Sequence, residues 1–193
     1  MINIVIPMAG AGSRFAKAGY KKPKPFIDVL GKPMICHVLD NLNIPDAKFI
    51  LLTRFEHYNN EQETVKWIKS NYKVEFVMID KLTEGAACTV LHAHRLINND
   101  TPLLIANSDQ IVDMDISEYI NDSKKRGLDG SVLCFEDNDK KWSYAKLDKN
   151  IGKYGRLGLK YLKHNHMDIY TILLMDDKLN EHLLEIEKEA KNK

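Results

Sequence analysis

Residues with the chemistry of a phosphate site lie close together near the start of the chain. A strand-like run at 2–6 leads into a loop with Gly10, Gly12 and Arg14, and Lys24 follows between two prolines. Glycine permits positive φ and lets backbone N–H groups turn toward an anion, while a guanidinium can contact two phosphate oxygens at once. The prolines restrict the backbone that carries Lys24. The segment therefore predicts a phosphate-binding loop, and the alternative is a solvated basic surface formed with the neighbouring lysines.

Two later segments carry groups that suit nucleotide chemistry. Asp109 follows the apolar run 102–107, and a carboxylate there could hold Mg²⁺ against phosphate oxygens. Taken alone, an Asp in this position is more often a turn or cap residue. Glu84 and Gly85 precede small residues at the start of a predicted helix, so Glu84 could accept a hydrogen bond from a base or sugar. The alternative is an acidic residue favoured by the helix dipole.

The elements that position these residues follow an alternating order. Short apolar runs bounded by turn residues predict buried strands, and amphipathic helical patterns lie between most of them. This order predicts an α/β fold with a mostly parallel sheet and helices on both faces, in which ligands bind beyond the carboxyl ends of the strands. The predicted strands are 2–6, 48–53, 74–79, 102–107, 130–135 and 143–147, and the predicted helices begin at Pro33 or cover 58–71 and 86–97.

Composition excludes several classes of protein. The 193 residues suit one domain plus a tail, and with 44% hydrophobic residues, 28% charged residues and a net charge of +1 they show no bias toward nucleic acid. No apolar run approaches the roughly 20 residues that span a bilayer, and no signal-like segment is found, so we expect no membrane association and a cytoplasmic location. Cys36, Cys88 and Cys134 lie in apolar surroundings and are expected to be reduced thiols of the core.

Together these motifs closely resemble the sugar-phosphate nucleotidylyltransferases, also called nucleotide-sugar pyrophosphorylases. The family signature of a glycine loop ending in Arg, a P-K-P segment and a G-K-P-M helix start is seen here as MAGAGSRF, KPKPFIDV and GKPMI. EGAACT resembles the base-binding segment and ANSDQ resembles the metal-binding strand end, so the resemblance covers about residues 1–149. It implies a nucleotide-binding, GT-A-like α/β domain that acts in nucleotide-sugar biosynthesis, converting a nucleoside triphosphate and a sugar 1-phosphate to an NDP-sugar and pyrophosphate.

The resemblance also implies roles for individual residues. Arg14 would bind the β and γ phosphates, Lys24 would stabilise charge at the α-phosphorus, and Asp109 would hold Mg²⁺. Catalysis of this kind is mostly positioning and electrostatics, with no protein nucleophile. The nucleotide-binding residues would be Ala9, Gly10, Ala11, Gly12, Ser13, Glu84 and Gly85.

The resemblance stops near residue 149. The family pattern would continue with further strands, a Glu-Lys segment that grips the sugar and a second metal Asp, and none follows here. Residues 152–190 instead resemble the C-terminal part of TnpV-type transposon-encoded proteins. We therefore expect a nucleotide-binding domain at 1–149, truncated relative to the family, and a helical tail of different origin at 150–193. The tail's apolar stripe of Leu179, Leu183 and Ile186 is expected to pack on the open sheet edge or to form a homo-oligomer.

Three functions compete at this point. The first is a sugar-phosphate nucleotidyltransferase, either active or impaired by the truncation. The second is a catalytically inactive remnant that still binds nucleotide. The third is a glycosyltransferase of related fold, although S-D-Q at 108–110 departs from the D-x-D metal motif of those enzymes. A DNA-binding tail is disfavoured by its mixed Lys and Glu charge.

Overall fold

The computed structural model describes residues 1–137, 139, 153–166, 168–169, 172–173 and 178–192. The chain divides into two compact units, Met1–Ser131 and Val132–Lys193. The predicted boundary between the nucleotide-binding domain and the tail, at residues 149–150, lies outside the described residues and stays a prediction. In the described parts of the chain, no helix is both long and apolar enough to span a bilayer.

The first unit is built on a four-stranded sheet in which every neighbouring pair is parallel, with the strand order β5-β4-β1-β6. A short antiparallel hairpin of β2 and β3 lies outside this sheet. The strands are β1 (Ile2–Pro7), β2 (Asp28–Val29), β3 (Lys32–Pro33), β4 (Ala47–Arg54), β5 (Val74–Ile79) and β6 (Leu103–Ile105).

Helices connect the strands and carry the apolar residues that cover the sheet. Those of the first unit are α1 (Ser13–Lys17), α2 (Met34–Asn41), α3 (Phe55–Asn60), α4 (Gln62–Asn71), α5 (Ala86–Leu91), α6 (His94–Ile97) and α7 (Ile116–Lys125), with a 3-10 turn at Lys24–Phe26. The second unit contains α8 (Lys153–Asn165) and α9 (Leu179–Lys191).

Apolar side chains cover both faces of the sheet, because successive side chains of a strand point to opposite faces. On one face, Ile4 and Ile6 of β1 belong to a buried cluster with residues of α2, α4 and α7. On the other face, Val5 belongs to a second cluster with Val90 of α5 and Ala93. The predicted α/β fold, with a mostly parallel sheet and helices on both faces, is therefore confirmed.

Several predicted elements differ from the observed ones. The predicted helix 58–71 is two helices, α3 and α4, because Glu61 leaves helical geometry with φ −117° and ψ 37°. The predicted helix 86–97 is likewise divided into α5 and α6. The strand predicted at 102–107 is shortened to β6, and α1 and α7 were not predicted.

The strand predicted at 130–135 is wrong. These residues have no regular structure, and Val132 and Phe135 are exposed. A strand needs a neighbour to satisfy its backbone hydrogen bonds, and among the described residues no strand pairs with this run. The strand predicted at 143–147 lies outside the described residues.

The cysteines are free thiols, but only one of them belongs to the core. Cys36 on α2 is fully buried, whereas Cys88 and Cys134 are exposed, which corrects the expectation of three core thiols. Cys88 lies on the outer side of α5, whose buried residues are Thr89 and Val90. Cys134 lies in the irregular 130–135 run.

The helices of the second unit pack against each other. Gly158 of α8 permits close approach, since an added Cβ there would lie only 2.7 Å from Cδ1 of Ile186 and 3.7 Å from Cδ2 of Leu183. Leu162 and Leu183 are buried. The helical tail is thus confirmed. Two residues of its apolar stripe, Leu183 and Ile186, lie against Gly158 of α8. Packing on the sheet edge and formation of a homo-oligomer stay predictions.

Candidate functional site

The predicted phosphate loop leaves the sheet at the carboxyl end of β1. The Met8 N–H donates to the Leu52 carbonyl at 2.8 Å, and Ala9 is buried in the cluster that contains Val90 and Ala93. Gly10 and Ala11, which follow, are exposed. The sheet therefore holds the base of the loop firmly while its tip stays accessible to a ligand.

Of the two loop glycines, only Gly12 has the left-handed conformation, with φ +59°, and it caps the start of α1. Gly10 does not have a positive φ, so the reason to expect glycine there is space rather than dihedral angle. An added Cβ at Gly10 would meet nothing within 4 Å, whereas one at Gly12 would lie 3.8 Å from the Lys24 Cβ. The loop and the P-K-P segment are therefore in contact range.

The backbone of Lys24 is fixed by its neighbours. Pro25 and Phe26 are buried, and Pro23 caps the 3-10 turn with φ −55°. The Lys24 Nζ lies 5.2 Å from the centre of the Phe15 ring, a cation–π distance. Phe15 was not among the predicted site residues, and its only signal in the sequence is its place directly after Arg14. The prolines and this ring hold the ammonium group beside the loop.

The structure joins two residues to which the sequence assigned separate roles. The Nζ of Lys24 forms an ion pair with Oδ2 of Asp109, across 85 residues of chain. The Lys24 side chain is 27% exposed and that of Asp109 is 37% exposed. They meet because β6, which leads to Asp109, pairs in parallel with β1, so the carboxyl ends of the two strands lie side by side.

The loop that carries Asp109 is held by one hydrogen bond within it and by two from α2. The Asn107 side-chain amide donates to the Gln110 side-chain oxygen at 2.6 Å. Asn41, near the end of α2, accepts a hydrogen bond from the Val112 N–H at 2.9 Å and donates to the Val112 carbonyl at 2.8 Å. Asn41 was not predicted, and its only signal in the sequence is a polar residue at the end of an apolar helix. This double hydrogen bond restricts where Asp109 can move.

Arg14 lies in the first turn of α1, and its side chain is exposed. It forms no ion pair or side-chain hydrogen bond with any residue that the structure describes. The neighbouring Ala11 and Ser13 are exposed as well. The structure therefore does not bring Arg14 into contact with Lys24 or Asp109, and its guanidinium is free to meet an anion.

The Glu84 segment lies next to the loop through α5. Val90 of that helix shares a buried cluster with Ala9, which places the start of α5 on the same side of the sheet. Gly85 caps α5 in an extended conformation, and an added Cβ there would meet nothing within 4 Å. Glu84 is exposed and makes no hydrogen bond or ion pair with another described residue. This segment therefore offers open space at Gly85 and, at Glu84, a carboxylate that no described residue engages.

Two threonines that were not predicted stabilise this segment. The Thr83 and Thr89 hydroxyl oxygens lie 2.5 Å apart, and the Thr89 hydroxyl donates to the Gly85 carbonyl at 3.1 Å. Thr89 is buried. These contacts fix the turn that presents Glu84.

At the neighbouring carboxyl end of β4, Arg54 pairs with Glu56 at 2.6 Å. The pKa of His57 is lowered, first by burial and then by the nearby Arg54 charge, against the opposing effect of Glu56 and Glu61. Burial and the Arg54 charge both favour the neutral form of His57.

The carboxylate of Asp109 fits only one kind of metal site. In the part of the chain that the structure describes, no group of three or more His, Cys, Asp or Glu could hold a metal ion. Magnesium at phosphate sites commonly takes one or two protein carboxylates, with the remaining ligands from phosphate and water. Asp109 beside the glycine loop therefore suits Mg²⁺ that arrives with a triphosphate, and does not suit a metal held by protein alone.

Two family models match the chain. The model described as nucleotidyl transferase matches residues 4–150, and the model described as transposon-encoded protein TnpV matches residues 141–193. The first match contains every predicted site residue from Ala9 to Asp109. The second match falls on the segment that the sequence had set apart as a tail of different origin.

Curated relatives match the same part of the chain. The bifunctional protein GlmU of Methanococcus vannielii is 31% identical over 127 residues, which cover 66% of this chain and 29% of that protein. The mannose-1-phosphate guanyltransferase of Yarrowia lipolytica is 28% identical over 134 residues, or 67% of this chain and 36% of that protein. The chain thus spans about a third of the length of these relatives.

Solved structures show the same fold. A putative glucose-1-phosphate thymidylyltransferase from Bacillus anthracis has a TM-score of 0.52 at 22% identity, covering 65% of this chain and 51% of that one. HddC from Yersinia pseudotuberculosis has a TM-score of 0.51 at 23% identity, covering 64% and 54%. At this identity the likeness supports the fold alone.

Proposed function

The chain belongs to the nucleotidyl transferase family, and from that membership we propose that it transfers a nucleotidyl group from a nucleoside triphosphate to a sugar 1-phosphate. The products are an NDP-sugar and pyrophosphate, as in nucleotide-sugar biosynthesis. The observation that carries the proposal is the convergence of Lys24 and Asp109 beside the glycine loop. The names of the relatives, GlmU and mannose-1-phosphate guanyltransferase, support the same reaction class.

In the proposed reaction, a phosphate oxygen of the sugar 1-phosphate attacks the α-phosphorus in line, and pyrophosphate leaves. The backbone from Ala9 to Ser13, including Gly10, Ala11 and Gly12, cradles the triphosphate. Arg14 binds the β and γ phosphates, and Lys24 stabilises charge at the α-phosphorus. These groups position and stabilise without any covalent intermediate on the protein.

Asp109 is the residue proposed to hold Mg²⁺. When bound, the ion neutralises charge that develops on the leaving pyrophosphate. Glu84 and Gly85 are proposed to contact the base or its ribose, because the carboxylate is exposed and the space at Gly85 is open.

We expect the protein to act in the cytoplasm on a nucleotide and a sugar phosphate. Neither nucleic acid nor a membrane is expected as a partner. We also propose that the C-terminal helix can mediate a homo-oligomer. Light scattering, which measures the mass in solution, tests this.

A second candidate is a nucleotide-binding remnant without chemistry. The observation that favours it is the second family match, which replaces the expected continuation of the nucleotidyl transferase pattern from residue 141 onward. Such a protein would keep the triphosphate loop and lack the sugar half of the site.

One paired experiment separates the two candidates. The protein is incubated with Mg²⁺, each common nucleoside triphosphate and a panel of sugar 1-phosphates, and pyrophosphate release is followed beside calorimetric nucleotide titrations. Release that is lost in Lys24→Gln supports the enzyme, and binding without release supports the remnant. If no triphosphate binds, both functions are wrong.

A further inference from the structure

We propose that Lys24 and Asp109 make triphosphate binding depend on a divalent cation, because their ion pair has to open before Lys24 can serve the phosphate. The inference rests on the proposed function and adds a coupling between the two ligands. It starts from the observed contact between the Lys24 Nζ and the Asp109 Oδ2. Each residue is the other's only ion-pair partner among the described residues.

Without a divalent cation, the pair opposes triphosphate in two ways. Asp109 neutralises the charge that Lys24 would offer to the phosphate, and its own negative charge repels an approaching triphosphate. Arg14, with no competing acid among the described residues, is left as the main cation for the nucleotide.

With a divalent cation, Asp109 exchanges Lys24 for the metal. The carboxylate charge is then compensated, and Lys24 is released toward the phosphate. The exchange needs little movement, since Phe15 and the buried Pro25 hold the lysine in place and Asn41 anchors the loop of Asp109. Cation and triphosphate therefore bind together more tightly than either binds alone.

The size of the effect follows from the exposure of the pair. Partly exposed ion pairs contribute little, equivalent to about a two- to fivefold change in a binding constant. A hydrogen bond from a released lysine to phosphate is stronger, and its loss is expected to cost about 10- to 100-fold in affinity. Lys24 should therefore contribute less to affinity while it is paired with Asp109 than once it is released.

The test is a double-mutant cycle measured by calorimetry. Wild type, Lys24→Gln, Asp109→Asn and the double variant are titrated with ATP, GTP, CTP, UTP and dTTP, each in EDTA and in Mg²⁺, and the tightest nucleotide is followed. In EDTA, Asp109→Asn should bind this nucleotide about two- to fivefold more tightly than wild type. Mg²⁺ should also raise the nucleotide affinity of this variant much less than it raises that of wild type.

The discriminating result is the effect of Lys24→Gln on nucleotide affinity, compared between chains with Asp109 and chains with Asp109→Asn. In EDTA, Lys24→Gln should cost about tenfold or more in the Asp109→Asn background, and about two- to fivefold less than that beside Asp109. Asp113→Asn is the matched control, because Asp113 is an exposed carboxylate on the same loop and has no ion pair with a described residue. It should behave as wild type in both buffers. Thermal melts confirm that each variant is folded.

Two results would overturn the coupling while leaving the proposed function in place. One is that Asp109→Asn weakens nucleotide binding in EDTA or leaves it unchanged. The other is an equal effect of Lys24→Gln in both backgrounds. If wild type binds none of the nucleotides in either buffer, the proposed function itself is wrong, and this inference is wrong with it.

Discussion

At the scale of single residues, charge placement distinguishes the two cations of the loop. Lys24 has an acidic partner and lies over an aromatic ring, whereas Arg14 is exposed and forms no ion pair or side-chain hydrogen bond with a described residue. A cation without a structural partner contributes little to the fold. Arg14 is therefore the residue whose removal should affect ligand binding most cleanly.

We expect Arg14→Ala to weaken triphosphate binding by about 1.5 to 3 kcal/mol, the range for hydrogen bonds to charged groups. The melting temperature should stay within error of wild type. Lys17→Ala is the matched control, since Lys17 is an exposed cation on the same short helix. Equal calorimetric losses in both variants would mean that only the net charge matters and that Arg14 has no specific role.

A second residue-scale prediction concerns Cys36. Burial raises the pKa of its thiol from 9.0 to about 11, opposed by a hydrogen bond with Tyr72 and reinforced by the nearby Asp40. The folded protein thus holds this proton more tightly than the unfolded chain, so the stabilisation is present below pH 9 and is lost as the pH rises toward 11. A shift of this size corresponds to about 2 to 3 kcal/mol.

The measurement is denaturant unfolding between pH 8 and 11. Burial and the hydrogen bond to Asp40 also raise the pKa of Tyr72, which adds a loss of the same sign at the upper end. Cys36→Ala is the control, and its free energy of unfolding should fall less between pH 9 and 11. A slope identical to that of wild type would show that the thiol proton does not contribute.

At the scale of elements, the loop between β1 and α1 shows how one dihedral angle shapes a site. Gly12 takes a left-handed conformation so that α1 can begin beside the P-K-P segment, while Gly10 has an ordinary dihedral angle and open space around it. Glycine is therefore expected at these two positions for different physical reasons, which are backbone conformation at Gly12 and open space at Gly10.

We expect Gly12→Ala to lower the free energy of unfolding by about 1 to 2 kcal/mol, the cost of a side chain in the left-handed region. Gly10→Ala should leave stability nearly unchanged, yet weaken triphosphate binding if the ligand approaches the backbone there. Thermal melts and calorimetry of both variants separate the two effects. Equal stability of the two variants would contradict the dihedral argument.

The helix pair of the second unit offers another test of an element. Gly158→Val would place atoms within contact distance of Ile186 and Leu183 and should destabilise the α8 and α9 pair by about 1 to 3 kcal/mol. Gly158→Ala should cost less, because the nearest atom is the mobile end of the Ile186 side chain. The helical circular dichroism signal during a thermal melt reports the change. Unaltered melting of the valine variant would mean that the helices do not pack closely at Gly158.

At the scale of the whole molecule, two different family models match parts of one chain. The nucleotidyl transferase match ends at residue 150, and the TnpV match begins at residue 141. The residues proposed to bind nucleotide lie entirely within the first match, and the pattern expected for sugar binding does not follow it. Nucleotide binding and chemistry are therefore predicted separately.

We expect nucleotide binding with very slow pyrophosphate release. Removing one preorganised electrostatic contact costs about 10²- to 10³-fold in rate, and the sugar-binding lysine and second metal carboxylate are both missing from the sequence pattern. Single-turnover assays with labelled triphosphate measure the rate directly. Release at a rate ordinary for enzymes, about 1 s⁻¹ or more, would mean that residues of the second segment replace these groups.

Local patterns in the sequence determined much of this protein. The parallel α/β fold, the strands β1, β4 and β5 and the glycine loop followed from apolar runs, turn residues and motifs. These features depend on residues that lie close to one another in the chain. The sequence also determined family membership, because several motifs occur in the family order. The placement of Lys24 and Asp109 at one edge of the sheet needed only the rule for parallel strands.

Only the tertiary structure decided how these residues interact. The ion pair of Lys24 with Asp109 spans 85 residues, and its formation depends on side-chain directions that no local pattern contains. The anchor from Asn41 to Val112 likewise joins a helix end to a distant loop. The run 130–135 has the composition of a strand, yet strand formation requires a paired neighbour, which is a property of the assembled sheet and not of the run itself.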